Sequence, residues 1–312
     1  MNRLPKGLYP VMLTPFNDDY SIDIKALEEL TEFYIKAGAD GLFANCLSSE
    51  MFQLTSEERN LITKTVAKKV DGRVPVVATG TFGGGITKTS EFIKKIYNTG
   101  VEAVVINTNQ LNDRNDPEEY FKKQLEKILN ATDNIPLGLY ECPMPYKRLV
   151  SPSLMNWLGS TNRFLYHKDT SCNIDQIKEK IDAIKDSPLG LFNANTPTGI
   201  LSMKEGAMGL SPVAANYYPE LFAYLLKNYS KPDNNYEKVE SLVTLLDSIA
   251  DGKHYPLLAK ITLGKRGLKI KPITRTPVPA LDQQDVIILE KLLTRIKKET
   301  ESIGLEFQNA SK

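Results

Sequence analysis

Eight short apolar runs, rich in β-branched and aromatic residues, recur along the chain at a steady interval. They are GLYPVMLTPF (7 to 16), DGLFANC (40 to 46), VPVVATG (74 to 80), VEAVVIN (101 to 107), PLGLYECP (136 to 143), RFLYHKD (163 to 169), LGLFNAN (189 to 195) and AMGLSPVA (207 to 214). Their hydrophobicity is continuous rather than alternating, as in strands covered on both faces. Helix signals fill the gaps. Leu27, Leu30, Phe33, Tyr34 and Ala37 form an apolar stripe that stops at Gly38, and Thr55 with Glu58 makes a capping box. Asp116-Pro117-Glu118-Glu119 and Ser151-Pro152 each offer a cap followed by a first-turn proline, and Ile174, Ile177, Ile181 and Ile184 are spaced by three and four.

Strand and helix alternating eight times predicts an α/β fold, a (β/α)8 TIM barrel, since a doubly wound open sheet usually stops at about five to seven strands. The strand signal ends near residue 219. Helical patterns follow at 219 to 228, 235 to 250, 254 to 264 and 283 to 302, interrupted by the proline-rich KPITRTPVPAL at 271 to 281. The expected organisation is a barrel over residues 1–218 and a C-terminal helical extension over residues 219–312 packed on it. No linker composition separates the two.

Composition removes several function classes. The 312 residues are 41% hydrophobic and 25% charged, and 39 basic against 38 acidic side chains leave a formal charge of +1. That balance gives no electrostatic footprint for nucleic acid or an anionic membrane. The apolar run before Thr14-Pro15 is too short for a signal peptide, and no segment approaches the ~20 apolar residues of a membrane span, so a cytoplasmic protein is expected. Cys46, Cys142 and Cys172 are odd in number and widely spaced, and neither His167 nor His254 lies at ligand spacing from them. Reduced, partly buried thiols and no metal are the expectation.

In such barrels the chemistry sits at the C-terminal strand ends. Those positions are Thr14, Ser48, Ser49, Glu50, Gly80, Asn107, Tyr140, Lys168, Asn195 and Ser211. Lys168 is the one lysine placed near the C-terminal end of a strand-like run. By alternation it shares its face with Tyr166, while Leu165 and His167 should turn toward the helices. An amine walled by apolar side chains loses hydration of its charged form and becomes a nucleophile able to attack a ketone. An ion pair with Asp169 or Glu50 is the competing reading, and the pattern alone leaves both open. Tyr140, on a neighbouring strand, would supply the phenol that a Schiff-base mechanism needs. GTFGGG at 80 to 85 lacks the lysine and serine of a phosphate loop and reads as a turn. Glu50 is expected to bind loop backbone, and His167 to be structural.

These residues resemble a known family. Tyr140-Glu141-Cys142-Pro143 resembles the tyrosine motif, and Lys168-Asp169-Thr170-Ser171 the Schiff-base lysine run, of the dihydrodipicolinate synthase and N-acetylneuraminate lyase family of pyruvate-dependent class I aldolases. GAMGLSPVAAN at 206 to 216 resembles the family's eighth-strand segment, and LLAKITLGKRGL with PVPAL its tail. The likeness runs from about Gly7 to the C-terminal helices. It implies a barrel, a homo-oligomer (dimer or tetramer), usually a homotetramer built from dimers, an imine between Lys168 and a small 2-keto acid, typically pyruvate, assistance from Tyr140, and no cofactor or metal. It further implies that Ser48 and Ser49 hold the keto-acid carboxylate.

The departures from the family pattern carry equal weight. Leu47 stands where the synthases have a relay hydroxyl, and NTNQLNDRND (107 to 116) has no counterpart of their second tyrosine. Their arginine after the tyrosine motif falls at Pro145, leaving Lys147 or Arg148 to reach that space. The lyases' acidic sugar contacts align with Asn195 and Thr196, which with Ser211 suggest an acceptor bearing hydroxyl or amide groups. The expected activity is therefore a lyase or aldolase with a broken proton relay. Its alternatives are a true 4-hydroxy-tetrahydrodipicolinate synthase or N-acetylneuraminate lyase, a keto-deoxy sugar acid dehydratase, and a non-catalytic keto-acid-binding barrel.

Overall fold

The computed structural model of the chain describes residues 2–305. The last positions assigned to the extension, 306–312, lie outside the described residues. Eight parallel strands form one sheet: β1 (Gly7–Leu8), β2 (Leu42–Ala44), β3 (Val76–Thr79), β4 (Ala103–Asn107), β5 (Leu137–Tyr140), β6 (Phe164–Asp169), β7 (Gly190–Asn193) and β8 (Gly209–Leu210). Each strand pairs with its sequence neighbour from β2 to β8, and β8 pairs with β1. A parallel bridge between Val11 and Phe43 joins the segment after β1 to β2 and closes the ring. Helices α1 (Ile24–Lys36), α2 (Ser56–Val70), α3 (Gly85–Tyr97), α4 (Glu118–Ala131), α5 (Pro152–Ser160), α6 (Ile174–Ile184) and α7 (Thr196–Lys204) alternate with the strands. The molecule is a (β/α)8 barrel with a C-terminal helical extension: α8 (Pro219–Asn228) follows β8 and packs beside β1 as the eighth helix of the ring, and α9 (Asn234–Ala250), α10 (Leu257–Lys265) and α11 (Gln283–Ser302) continue beyond it.

The local chemistry explains most boundaries. Thr55 caps α2 by accepting from the Glu58 N–H at 3.1 Å while Glu58 accepts from the Thr55 N–H at 2.8 Å. Ser151 caps α5 through the Leu154 N–H. At α4 the outcome differs from the expected cap: the helix begins at Glu118 after Pro117, and the Asp116 carboxylate instead accepts from the Asp113 N–H within the preceding loop. The glycine run is a turn, with Gly83, Gly84 and Gly85 all at positive φ. Strands β1 and β8 approach so closely at Gly209 that a Cβ there would lie 2.1 Å from the Gly7 carbonyl oxygen.

Two apolar layers result. The outer one joins the strands' outward side chains to the inward stripes of the helices, including Leu27, Leu30, Phe33, Tyr34, Ile177, Ile181 and Ile184. The inner one fills the barrel with Tyr9, Phe43, Val77, Val105, Tyr140, Tyr166 and Phe192. Its aromatic rings stack at short range, 4.5 Å between centroids for both Tyr9–Phe192 and Tyr166–Phe192. Leu165 also joins this inner layer, against the expectation that it faces the helices. The cause is a register shift between β5 and β6, where Leu137 pairs with Phe164 but Gly138 with Tyr166, leaving Leu165 as the extra residue. Beyond the bulge alternation resumes, so Tyr166 and Lys168 face inward and His167 and Asp169 outward.

Candidate active site

A cavity of about 550 Å³ opens at the C-terminal ends of the strands, with the inner aromatic layer as its floor. Lys168 and Tyr140 stand side by side in it, as register partners on β6 and β5, at 3% and 4% exposure. The Lys168 Nζ lies 4.8 Å from the Tyr140 ring centroid and 5.8 Å from that of Phe43. No carboxylate forms an ion pair with Lys168 among the described residues. Asp169, on the opposite face of β6, is bound to Lys180 at 2.5 Å, and Glu50 is bound to Lys260 at 2.6 Å. The ion-pair reading of Lys168 is therefore overturned by geometry. Burial pushes the Lys168 ammonium down from 10.5 to about 8, against a smaller opposing effect of Cys46, Cys142 and Asp251. Burial likewise holds the Tyr140 phenol protonated, well above its ordinary value, reinforced by Cys142 and Cys46.

The other expected site residues divide. Ser48 lines the cavity. Ser49 does not: its N–H donates to the Cys46 carbonyl, its hydroxyl donates to the Met12 carbonyl at 2.6 Å, and it accepts from the Cys46 N–H. Both groups are spent on folding the turn. Asn195 reaches the cavity, with its side-chain oxygen capping α7 by accepting from Thr198. Thr196 lies in a smaller cleft between α7 and α9. Ser211 is sealed in the floor, donating to the Tyr9 carbonyl at 2.7 Å and accepting from the Tyr166 phenol at 3.0 Å. Arg148 is turned away, its guanidinium donating to the carbonyls of Asp113, Arg114 and Asp116 in the loop before α4. Lys147 lines the cavity instead, donating to the Thr170 carbonyl at 2.9 Å. Glu50 binds backbone as expected, but that of the extension: it accepts from the N–H groups of Arg275 and Thr276 as well as from Lys260.

The extension also contributes residues that strand-end reasoning missed. Tyr255, in the connection between α9 and α10, lines the cavity beside Leu47 and Ser48. Its phenol interacts with the Ser48 hydroxyl and accepts from the Asn216 amide at 2.7 Å, and Asn216 in turn accepts from Tyr34 at 2.7 Å. Asp247 on α9 and Asp251 just beyond it border the cavity mouth with Cys172, which is exposed rather than partly buried. Burial raises both carboxyl groups, and the Lys168 ammonium partly offsets this at Asp251. The HYP segment 254 to 256 carried no strand signal, so only docking of the extension reveals Tyr255.

Fold and site together define a (β/α)8 barrel protein with a desolvated lysine and a tyrosine at the mouth of the barrel. The model of the Dihydrodipicolinate synthetase family matches residues 4–296, and the chain belongs to that family. It is 24% identical over 297 residues to the 4-hydroxy-tetrahydrodipicolinate synthase of Clostridium novyi, covering 94% of this chain and 97% of that protein. Among solved structures, a monomeric dihydrodipicolinate synthase variant superposes with a TM-score of 0.84 at 19% identity, covering 94% of this chain and 97% of the other. The E. coli K12 prophage protein YagE, solved in complex with pyruvate, gives a TM-score of 0.83 at 22% identity, covering 94% and 98%. No helix among the described residues is long and apolar enough to cross a membrane.

Proposed function

We propose that this protein is a Schiff-base lyase or aldolase that joins pyruvate or another short 2-keto acid to an aldehyde, or cleaves the product of that addition. The observation that supports it most is the Lys168 amine: buried, without a carboxylate partner, and set beside a phenol. With its pKa near 8, roughly a quarter of it is neutral at pH 7.5, against about one part in a thousand at the ordinary value. The neutral nitrogen attacks the keto carbon, a proton passes to the carbonyl oxygen, and water leaves to give the imine. Loss of a proton from the adjacent carbon then gives an enamine, which adds to the aldehyde carbon; hydrolysis of the new imine frees the product and the lysine. Tyr140 is the proton donor and acceptor at the carbonyl oxygen, and Ser48 binds the keto-acid carboxylate.

The expectation of a broken relay is kept in this reading, and it is supported by Leu47 lining the cavity where the synthases carry their relay hydroxyl. Tyr255 stands next to it and its ionised form would oppose ionisation of Tyr140. In this reading Tyr255, held in place by the Asn216 amide and hydrogen-bonded to the Ser48 hydroxyl, takes the place of the missing relay group from within the same chain. Tyr140→Phe is expected to lower turnover by about 10²–10⁴-fold, the usual range for a lost general acid–base group. Tyr255→Phe should lower it by roughly tenfold or more while borohydride trapping of the imine persists. Unchanged turnover in Tyr255→Phe would remove Tyr255 from the relay.

The cavity beyond Lys168 is bordered by Asn195, Lys147, Asp247 and Asp251, acceptors and donors suited to hydroxyl groups. The direct test is a panel of 4-hydroxy-2-keto acids with hydroxylated, carboxylated or phosphorylated tails, with released pyruvate followed by a coupled dehydrogenase. Release from the hydroxylated members is expected. Imine formation with no release from any member, and no condensation in reverse, would instead indicate a keto-acid-binding barrel.

A further inference from the structure

Behind the two site residues, on the outward face of β5 and β6, lies a sealed polar cluster that the proposed reaction does not use. Glu141 follows Tyr140, His167 and Asp169 flank Lys168, and all three are fully buried. Lys180, on α6 and 1% exposed, donates to Glu141 Oε1 at 2.6 Å and to Asp169 Oδ2 at 2.5 Å. Each carboxylate has further donors. Glu141 accepts from the N–H groups of Val150 and Thr170, both at 2.8 Å, and Asp169 from the Ser171 N–H and hydroxyl. The Glu141 N–H donates to the Lys168 carbonyl, and the Thr170 hydroxyl to the Glu141 carbonyl. One ammonium thus ties together the residues adjoining Tyr140 and Lys168.

We infer that Lys180 is a positioning residue which, by holding Glu141 and Asp169, fixes the spacing of the two site residues and keeps the carboxylates' charge from stabilising the Lys168 ammonium. The inference rests on Lys168 being the reactive amine. Two buried carboxylates behind β6 would favour a positive charge on Lys168, and Lys180 is the ammonium that contacts both. His167 Nε2, 3.4 Å from Glu141 Oε1 and 3.9 Å from Asp169 Oδ2, is the other titratable group facing them. His167 and Lys180 both hold Glu141 ionised despite its burial, at about 2, and the carboxylates in turn keep Lys180 protonated. On the cavity side, the groups that favour the Lys168 ammonium are Cys46 after β2, Cys142 after β5 and Asp251 after α9, with Tyr140 beside it.

The experiment is competitive acetylation of Lys168 with trace acetic anhydride from pH 6 to 11, read by peptide mass, alongside thermal unfolding. Lys180→Met should move the Lys168 midpoint up by about half a unit, less than the ~1–3 units of an opposite charge in direct contact because the carboxylates lie on the far face of β6. Glu141→Gln, which removes a negative charge and leaves Lys180 in place, should move it the other way by about half a unit. Lys180→Arg should restore the wild-type midpoint. Loss of thermal stability with every midpoint unmoved, or a downward shift in Lys180→Met, would overturn the inference. If Lys180→Met does not fold, Glu141→Gln carries the test alone, and an unmoved midpoint there is decisive against it. The labelling needs no keto acid, so a failure of pyruvate trapping would sink the Schiff-base reading without altering these midpoints.

Discussion

Lys168→Met is expected to make the protein more stable at pH 7 while abolishing imine formation. The folded-state pKa of Lys168 lies below its ordinary value, about 8 against 10.5. Below pH 8 the amine is charged in both folded and unfolded chains, and the folded chain carries the full penalty of burying it. That penalty is lost as pH rises and is gone above 10.5, where the amine is neutral in both states. The difference, 10.5 − 8, corresponds to about 3 kcal/mol. In a chain of this size the gain should appear as a rise of roughly 5 °C in melting temperature at pH 7, shrinking toward pH 10. Calorimetry of wild type and variant at both pH values measures it. A variant less stable than wild type, or a gain independent of pH, would mean that the amine is not desolvated. Stability given up at a reactive group is a common arrangement in enzymes.

Lys260→Met should have the opposite sign. The Lys260 ammonium is fully buried on α10, donating to Glu50 Oε1 and to the Ile273 carbonyl, both at 2.6 Å. Burial works against its charge and Glu50 supports it. Removing it leaves the Glu50 carboxylate buried with only the N–H groups of Arg275 and Thr276, a change that costs about 3–5 kcal/mol for a broken buried pair. Glu50 closes the turn that carries Ser48, so keto-acid binding should weaken as well. The double variant Lys260→Met with Glu50→Gln should recover a large part of the lost stability, because no unpaired charge remains. A single variant within about 1 kcal/mol of wild type would show that the pair contributes little and that the extension is held by its apolar packing.

Much of this architecture is legible in the chain because burial on both faces makes each barrel strand a continuous apolar run, and because the helices carry separate caps. The runs at 163 to 169 and 101 to 107 became β6 and β4 with little change, and the four tail helices lie close to their expected limits. Alternation also placed Lys168 inward and His167 outward, but the pattern kept Asp169 open as a partner of Lys168 because it could not show that Asp169 is taken by Lys180, eleven residues on. Leu165 escaped the same logic because a bulge is set by the register between two strands, not by either strand's pattern.

The less legible residues share a physical reason. Ser49 and Ser211 sit at strand ends, as substrate-binding groups do, yet neighbouring carbonyl groups claim their hydroxyls. Backbone demand for hydrogen bonds inside a packed barrel cannot be read from residue type. Arg148 and Lys147 are adjacent and chemically alike, and only the path of the loop before α4 decides that the arginine clamps carbonyls while the lysine enters the cavity. Tyr255 belongs to no strand and reaches the site through the docking of α9 and α10.

The central claim is that the Lys168 amine, pushed down to about 8 by burial, is neutral in an appreciable fraction near physiological pH and bonds to a keto carbon. It is tested by incubating the protein with pyruvate and borohydride from pH 6 to 9 and mapping the adduct by peptide mass. One reduced pyruvate adduct per chain is expected, on Lys168, with a yield at short times that rises through about pH 8. An unmodified protein, or an adduct on a different lysine, would contradict the account.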